Sequence, residues 1–183
     1  VIFMSADIDA ITLRPLATSP ETIAALSTLL VETVAAGGSV SFMHPLSHED
    51  AAAFWRGSLE AAARGGRVVL GAYAGEALIG TVTLLLDLPP NQPHRAEIAK
   101  MMTLPAHRGR GVARALLREA EDIAAARRRT LIVLDTAAEE GASGFYEKLG
   151  YVRVGEIPDF ALKPHGGLTG TLIYFKRLAP AAA

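Results

Sequence analysis

The segment of this 183-residue chain whose residue types most suggest chemistry is His107-Arg108-Gly109-Arg110-Gly111-Val112-Ala113. It lies between a β-rich run and a long amphipathic stretch, where the backbone N–H groups of a helix's first turn lack intrahelical partners and bind anions. Glycines at 109 and 111 let the backbone approach a diphosphate closely, and Arg108 and Arg110 add charge beside the positive end of the helix dipole. The ligand this predicts is a pyrophosphate. Two rival phosphate loops fail. A Walker loop needs a Gly-Lys pair, which is missing, and a dinucleotide fingerprint starting at Gly109 needs Gly or Ala where Arg114 stands. The pattern Arg-x-x-Gly-x-Ala is weak alone and gains its weight from its position. His44 and His48 have helical spacing, but Pro45 separates them and no acid occupies a metal-site position, so no metal is expected.

Elements that would position this loop follow from pattern. Ile11 to Leu13 make a short β-like start, and Ser19-Pro20-Glu21 opens a helix running to about Val34. Ser47 with Asp50 opens a second helix through Ala63, closed by Gly65-Gly66. Arg67 to Ala74, Ala77 to Leu86 and Ala96 to Leu104 read as an antiparallel meander, the first two joined by a tight Gly75-Glu76 turn. Arg108 to Arg129 carries Val112, Leu116, Leu117, Ala120 and Ile123 at helical spacing and ends in arginines that suit the negative end of the dipole. Thr130 to Leu134, a short helix from Gly141 to Leu149, Val152 to Ile157 and Leu172 to Lys176 complete an α/β core with at least one parallel strand pair.

Composition narrows the partners. The 18 basic and 19 acidic residues nearly cancel, so neither nucleic acid nor an anionic membrane is an expected partner, and a small neutral or mixed-charge substrate fits better. The absence of cysteine excludes disulfides and thiolate chemistry and is compatible with a cytoplasmic location. The longest apolar run, Ala77 to Leu86, falls well short of the roughly 20 residues a membrane span needs. One domain is expected over residues 1–183, with 1–8 and 179–183 poorly ordered. The apolar stretch Leu172 to Phe175 suggests a homodimer contact as readily as a buried strand.

Met101-Met102-Thr103-Leu104-Pro105 with Arg108 to Ala113, followed by Gly144-Phe145-Tyr146-Glu147-Lys148-Leu149-Gly150-Tyr151, resembles the two signature regions of the GNAT acetyltransferases over about Leu13 to Leu178. The resemblance implies a central, mostly antiparallel mixed sheet with a parallel pair at its fourth and fifth strands, flanked by helices. It also implies acetyl-CoA as cosubstrate: Met101, Met102 and Thr103 would hold pantetheine, and Arg108, Gly109, Arg110, Gly111, Val112 and Ala113 the pyrophosphate. Tyr146 would protonate the departing thiolate. Within the family, His94 to Met102, Leu134-Asp135-Thr136 and Gly155 to Pro158 are most similar to the tabtoxin-resistance type, which acetylates a small amine toxin. That similarity implies catalytic carboxylates at Glu97 and Asp135. Glu139 stands where many relatives place an Asn that bonds pantetheine.

An alkyl amine with a pKa of about 10.4 is only roughly one part in 2,500 neutral at pH 7, and only the neutral form attacks a thioester. A base is therefore required. A carboxylate half-buried beside another is pushed toward the working pH, which suits Glu97 and Asp135, although Glu97 also has Arg95 and Lys100 as pairing partners and Asp135 sits where a turn needs capping. Trp55 reads most simply as a core residue, and the family resemblance implies that Phe42, His44 and Trp55 border the acceptor. Four readings stay open: transfer to a small-molecule amine, transfer to a protein N-terminus or lysine, a CoA-binding regulatory module without turnover, and a structural or interaction domain with no affinity for CoA.

Overall fold

The computed structural model describes residues 11–139 and 143–179. The expectations for residues 1–8, for the tail from 180 and for the start of the fourth helix at Gly141 lie outside the described residues. Seven strands, β1 (Ile11–Pro15), β2 (Arg67–Ala74), β3 (Ala77–Leu85), β4 (Arg95–Thr103), β5 (Leu131–Ala137), β6 (Val152–Leu162) and β7 (Leu168–Arg177), form one sheet in the order β1-β2-β3-β4-β5-β7-β6. Only the β4–β5 pair is parallel. The mixed fold and the place of its parallel pair are those expected.

Helices α1 (Pro20–Ala35) and α2 (His48–Ala63) cover one face, and α3 (Val112–Ala126) and α4 (Ser143–Lys148) the other. β2 shows why both faces are needed. Val68, Leu70 and Ala72 pack with α3's Leu116, Leu117 and Ala120, whereas Val69 and Tyr73 pack with Leu30, Trp55 and Leu59 of α1 and α2. A strand buried on both sides reads as an unbroken apolar run. Ser19 and Ser47 cap α1 and α2, their hydroxyls accepting from Thr22 N–H at 3.1 Å and Asp50 N–H at 3.0 Å. Gly75, at φ 57°, makes the β2–β3 turn.

Helix α3 departs from the reading of the sequence. It starts at Val112 rather than Arg108, because Gly109 and Gly111 adopt φ 75° and 84°, a conformation no right-handed helix contains. A short 3₁₀ turn (Pro105–His107) precedes them. Arg127 to Arg129 lie beyond the last helical turn, and Arg129 instead donates to the carbonyls of Leu86, Pro93 and Arg95, fastening the β3–β4 connection.

α3 approaches the sheet closely at Gly80, where a Cβ would lie 2.8 Å from Val112 Cγ1 and 2.9 Å from the Met102 carbonyl oxygen. Overpacking of this kind costs about 1–3 kcal/mol. Gly80→Ala is therefore expected to lower the unfolding free energy by that amount, read as a lower urea midpoint at unchanged slope. An unchanged midpoint would mean that α3 and β4 separate freely.

The stretch Leu172 to Phe175 is not a dimerising edge: it lies in β7, paired on one side with β5 and on the other with β6, with Leu172 and Tyr174 buried. Most of the exposed large apolar side chains among the described residues belong to the outer strand β6, among them Val152, Val154, Ile157 and Phe160; Met43 and Leu168 lie outside it. No helix among the described residues is long and apolar enough to cross a membrane.

Candidate active site

β4 and β5 begin as a parallel ladder, pairing Arg95 with Leu131, Ala96 with Ile132 and Glu97 with Val133, and there the ladder ends. β4 continues along β3 to Thr103, and β5 continues along β7 to Ala137. The two strands diverge, and a cleft of about 680 Å³ opens between them. Its walls include Met101, Met102 and Thr103 of β4, Asp135 and Thr136 of β5, Phe145 and Tyr146 of α4, and Ser41 and Phe42 of the α1–α2 loop. The Thr103 hydroxyl is buried there without a hydrogen-bond partner among the described residues. A separate groove of about 650 Å³ between α1 and α2 shares no lining residue with this cleft.

At one end stands the N-terminus of α3. α1 and α2 have a serine cap and acidic residues in their first turns, whereas α3 has a left-handed glycine as its cap, no side-chain cap bond and no acid in its first turn. Its free N–H groups keep their affinity for an anion. Arg108 and Ala113 line the cleft, while Gly109, Arg110 and Gly111 form the exposed turn beside it. A Cβ at either glycine would meet nothing within 4 Å, so the space above the turn is open to a ligand. Val112 has its side chain in the core and does not line the cleft.

At the inner end, Asp135 accepts a hydrogen bond from Thr171 Oγ1 at 2.8 Å. Tyr146 is buried against Tyr174, with ring centroids 5.4 Å apart, and meets Phe145 edge-on at 5.1 Å. Lys176 braces this corner, donating to Glu121 of α3 at 2.6 Å and to the Leu149 carbonyl after α4 at 2.9 Å. Burial first, then the neighbouring Glu121 carboxylate, push the Tyr151 phenol well above its ordinary pKa.

Glu97 lies apart from this group. Its carboxylate receives Arg95 at 3.1 Å and does not line the cleft, although strand alternation puts it on the same sheet face as Asp135. Trp55 is wholly buried in the α1–α2 core, and His44 stacks on His165 at 4.5 Å, so of the three residues expected to border the acceptor only Phe42 lines the cleft. Glu139 pairs with Lys163 at 2.9 Å. No group of three or more His, Cys, Asp or Glu side chains among the described residues is arranged to hold a metal.

Lys100 carries a signal the sequence reading passed over. Thr83 pairs with Ala99 but Thr81 with Met102, so β4 holds one extra residue, and Lys100 takes φ 50° at this bulge. The extra residue reverses the strand's alternation. Ile98 and Met101 pack on the α3 side, Met102 on the α1–α2 side, and Lys100 lies over the rings of Phe42 and Phe54 at 5.9 and 5.8 Å. Its Nζ donates to Ser41 Oγ at 3.0 Å. Burial lowers the pKa of this ammonium, opposed in part by the charge of Asp135.

A parallel pair that splays, an uncapped helix N-terminus at one end of the gap and a carboxylate with a buried tyrosine at the other define a site for a long anionic ligand and a reacting group. The model of the acetyltransferase (GNAT) family matches residues 34–151, and the chain belongs to that family. The fold is shared with an N-acetyltransferase from Staphylococcus aureus Mu50, at 17% identity and a TM-score of 0.77 over 92% of this chain and 98% of that one. It is shared too with yncA from Salmonella typhimurium, solved with its cofactor acetyl-CoA, at 20% identity and a TM-score of 0.74 over 95% and 97%. A ribosomal-protein-alanine N-acetyltransferase from Brucella melitensis matches at 20% identity and 0.77 over 91% and 99%.

Proposed function

We propose that this protein is an acetyl-CoA-dependent N-acetyltransferase that moves the acetyl group onto a primary amine of a small molecule. The observation that carries the reading is the end of the β4–β5 ladder at Glu97 and Val133, which leaves the cleft-facing backbone of Met101 to Thr103 without a strand partner and in line with the uncapped turn of α3. Pantetheine fits that gap as a strand would, and the backbone N–H groups of Val112 and Ala113, with Arg108 and Arg110, suit the pyrophosphate. The unpartnered Thr103 hydroxyl supports a polar ligand along this wall.

Asp135, oriented by Thr171, takes the proton of the attacking ammonium directly or through a water. The amine nitrogen bonds to the acetyl carbonyl carbon, the C–S bond breaks, Tyr146 gives its proton to the departing sulfur, and the second proton of the attacking nitrogen passes through water to restore the Tyr146 phenol. The N–H of Met102 polarises the acetyl carbonyl. Positioning the two reactants supplies most of the rate. Glu97, tied to Arg95 beside the opening of the gap, is the second candidate base. The apolar lining by Phe42, Phe160 and Leu162 supports a small acceptor. A toxin or antibiotic amine, modified in the cytoplasm, fits the resemblance to the tabtoxin-resistance type.

Calorimetric titration with acetyl-CoA tests the donor site. Micromolar binding is expected, weakened at least about tenfold in an Arg108→Ala, Arg110→Ala double variant, which is about 1.4 kcal/mol. Absence of binding by folded protein would overturn the reading.

A further inference from the structure

The cleft contains a cation that this mechanism does not use. Resting on the acetyltransferase reading, we propose that Lys100 binds the carboxylate of the acceptor, so that the acceptor is an amino acid whose amine lies at Asp135 and whose carboxylate lies at Lys100. Lys100 is placed for this by the bulge in β4, which puts a residue with a side chain at φ 50° on the wall of the cleft. Strain of that kind persists where the surrounding structure imposes it, and it gathers at ligand sites. Ser41, whose hydroxyl receives the Lys100 ammonium, is itself at φ 72°.

The surroundings of the ammonium point to an anion. Lys163 and Lys176 each have a carboxylate within 4 Å, Glu139 and Glu121, whereas Lys100, among the described residues, has none. Its contacts are one hydroxyl and the rings of Phe42 and Phe54. A partly buried ammonium with no carboxylate in direct contact is costly, and an incoming carboxylate relieves that cost. Burial lowers the pKa of Lys100, and the charge of Asp135, its counter-charge across the cleft, offsets that only in part. Asp135 lines the same cleft with only a neutral hydroxyl on its carboxylate. A positive and a negative group that line one cleft without a direct ion pair complement a zwitterion, and the positive one disfavours a simple ammonium acceptor.

The test compares standard L-amino acids with the amines left when their α-carboxylate is removed, in an assay of thiol release from acetyl-CoA, on the native protein and on Lys100→Met and Lys100→Arg. The native protein is expected to favour the amino acids at least about tenfold in kcat/KM, Lys100→Arg to keep most of that preference, and Lys100→Met to bring the ratio near one. A ratio unchanged in Lys100→Met would overturn the proposal. So would an equal fall in kcat for both kinds of acceptor, which would place Lys100 in the chemistry instead. Turnover of no amino acid by protein that still binds acetyl-CoA overturns this substrate class alone, whereas loss of acetyl-CoA binding defeats the reading it rests on.

Discussion

Ala113→Asp is expected to leave the protein as stable as before, or slightly more so, and to abolish donor binding. The two effects separate because they answer different questions about one charge. An acid in the first turn of a helix that lacks a capping side chain and a first-turn acid gains about 0.3–1 kcal/mol from the dipole. The same carboxylate stands in the cleft where the pyrophosphate would lie. Two unit charges about 4 Å apart at an effective dielectric near 20 repel by about 4 kcal/mol, enough for a loss of roughly a hundredfold or more in affinity even after partial screening. Thermal melting and acetyl-CoA calorimetry on the same sample check it. Stable protein with native affinity would mean that the anion binds elsewhere, and a fall in melting temperature would mean that the Ala113 position serves packing.

Asp135→Asn is expected to lower kcat by about a hundredfold to ten-thousandfold while acetyl-CoA still binds, the range in which positioned acid–base groups act. The substitution preserves shape, and an amide oxygen can still accept the Thr171 hydroxyl, so β5 and β7 keep their cross-link. What the amide cannot do is take a proton from the amine. Single-turnover rates across pH separate this from a packing defect: the loss should be largest near neutrality and shrink at alkaline pH, where more of the amine is already neutral. Glu97→Gln is the control. If it loses as much as Asp135→Asn, the base is Glu97, and Arg95 must release it during turnover.

Much of this architecture could be read from residues that act locally. Ser19-Pro20 and Ser47 with Asp50 mark the starts of α1 and α2 because a cap is satisfied within one turn of chain. Gly75 marks the β2–β3 hairpin for the same reason. The pair of glycines before α3 pointed to the candidate anion site, although the basic residues around them drew the expected helix start back to Arg108 and hid the turn the glycines make. The end of β6 was also hidden. Pro158 suggests a stop after Ile157, but β6 is an edge strand, where a missing N–H can face water, and it runs on past a register shift to Leu162. The bulge at Lys100 left no local mark. A left-handed residue in a strand is normally signalled by glycine, and here tertiary packing holds a lysine in that conformation. Neither could pattern tell whether Glu97 or Asp135 faces the cleft, since that depends on where the β4–β5 ladder stops.

The end of that ladder has a consequence for the protein's lifetime. A sheet whose fourth and fifth strands separate after three paired residues has a weak seam through its middle, and a ligand lying in the gap would bridge the seam. Anything that binds only the folded state stabilises it by mass action, by about 2.7 kcal/mol when the free ligand is a hundred times its dissociation constant. A chain completed in this way by a central metabolite would resist unfolding and proteolysis best in a well-fed cell, and would become a target for turnover as the acetyl supply runs down.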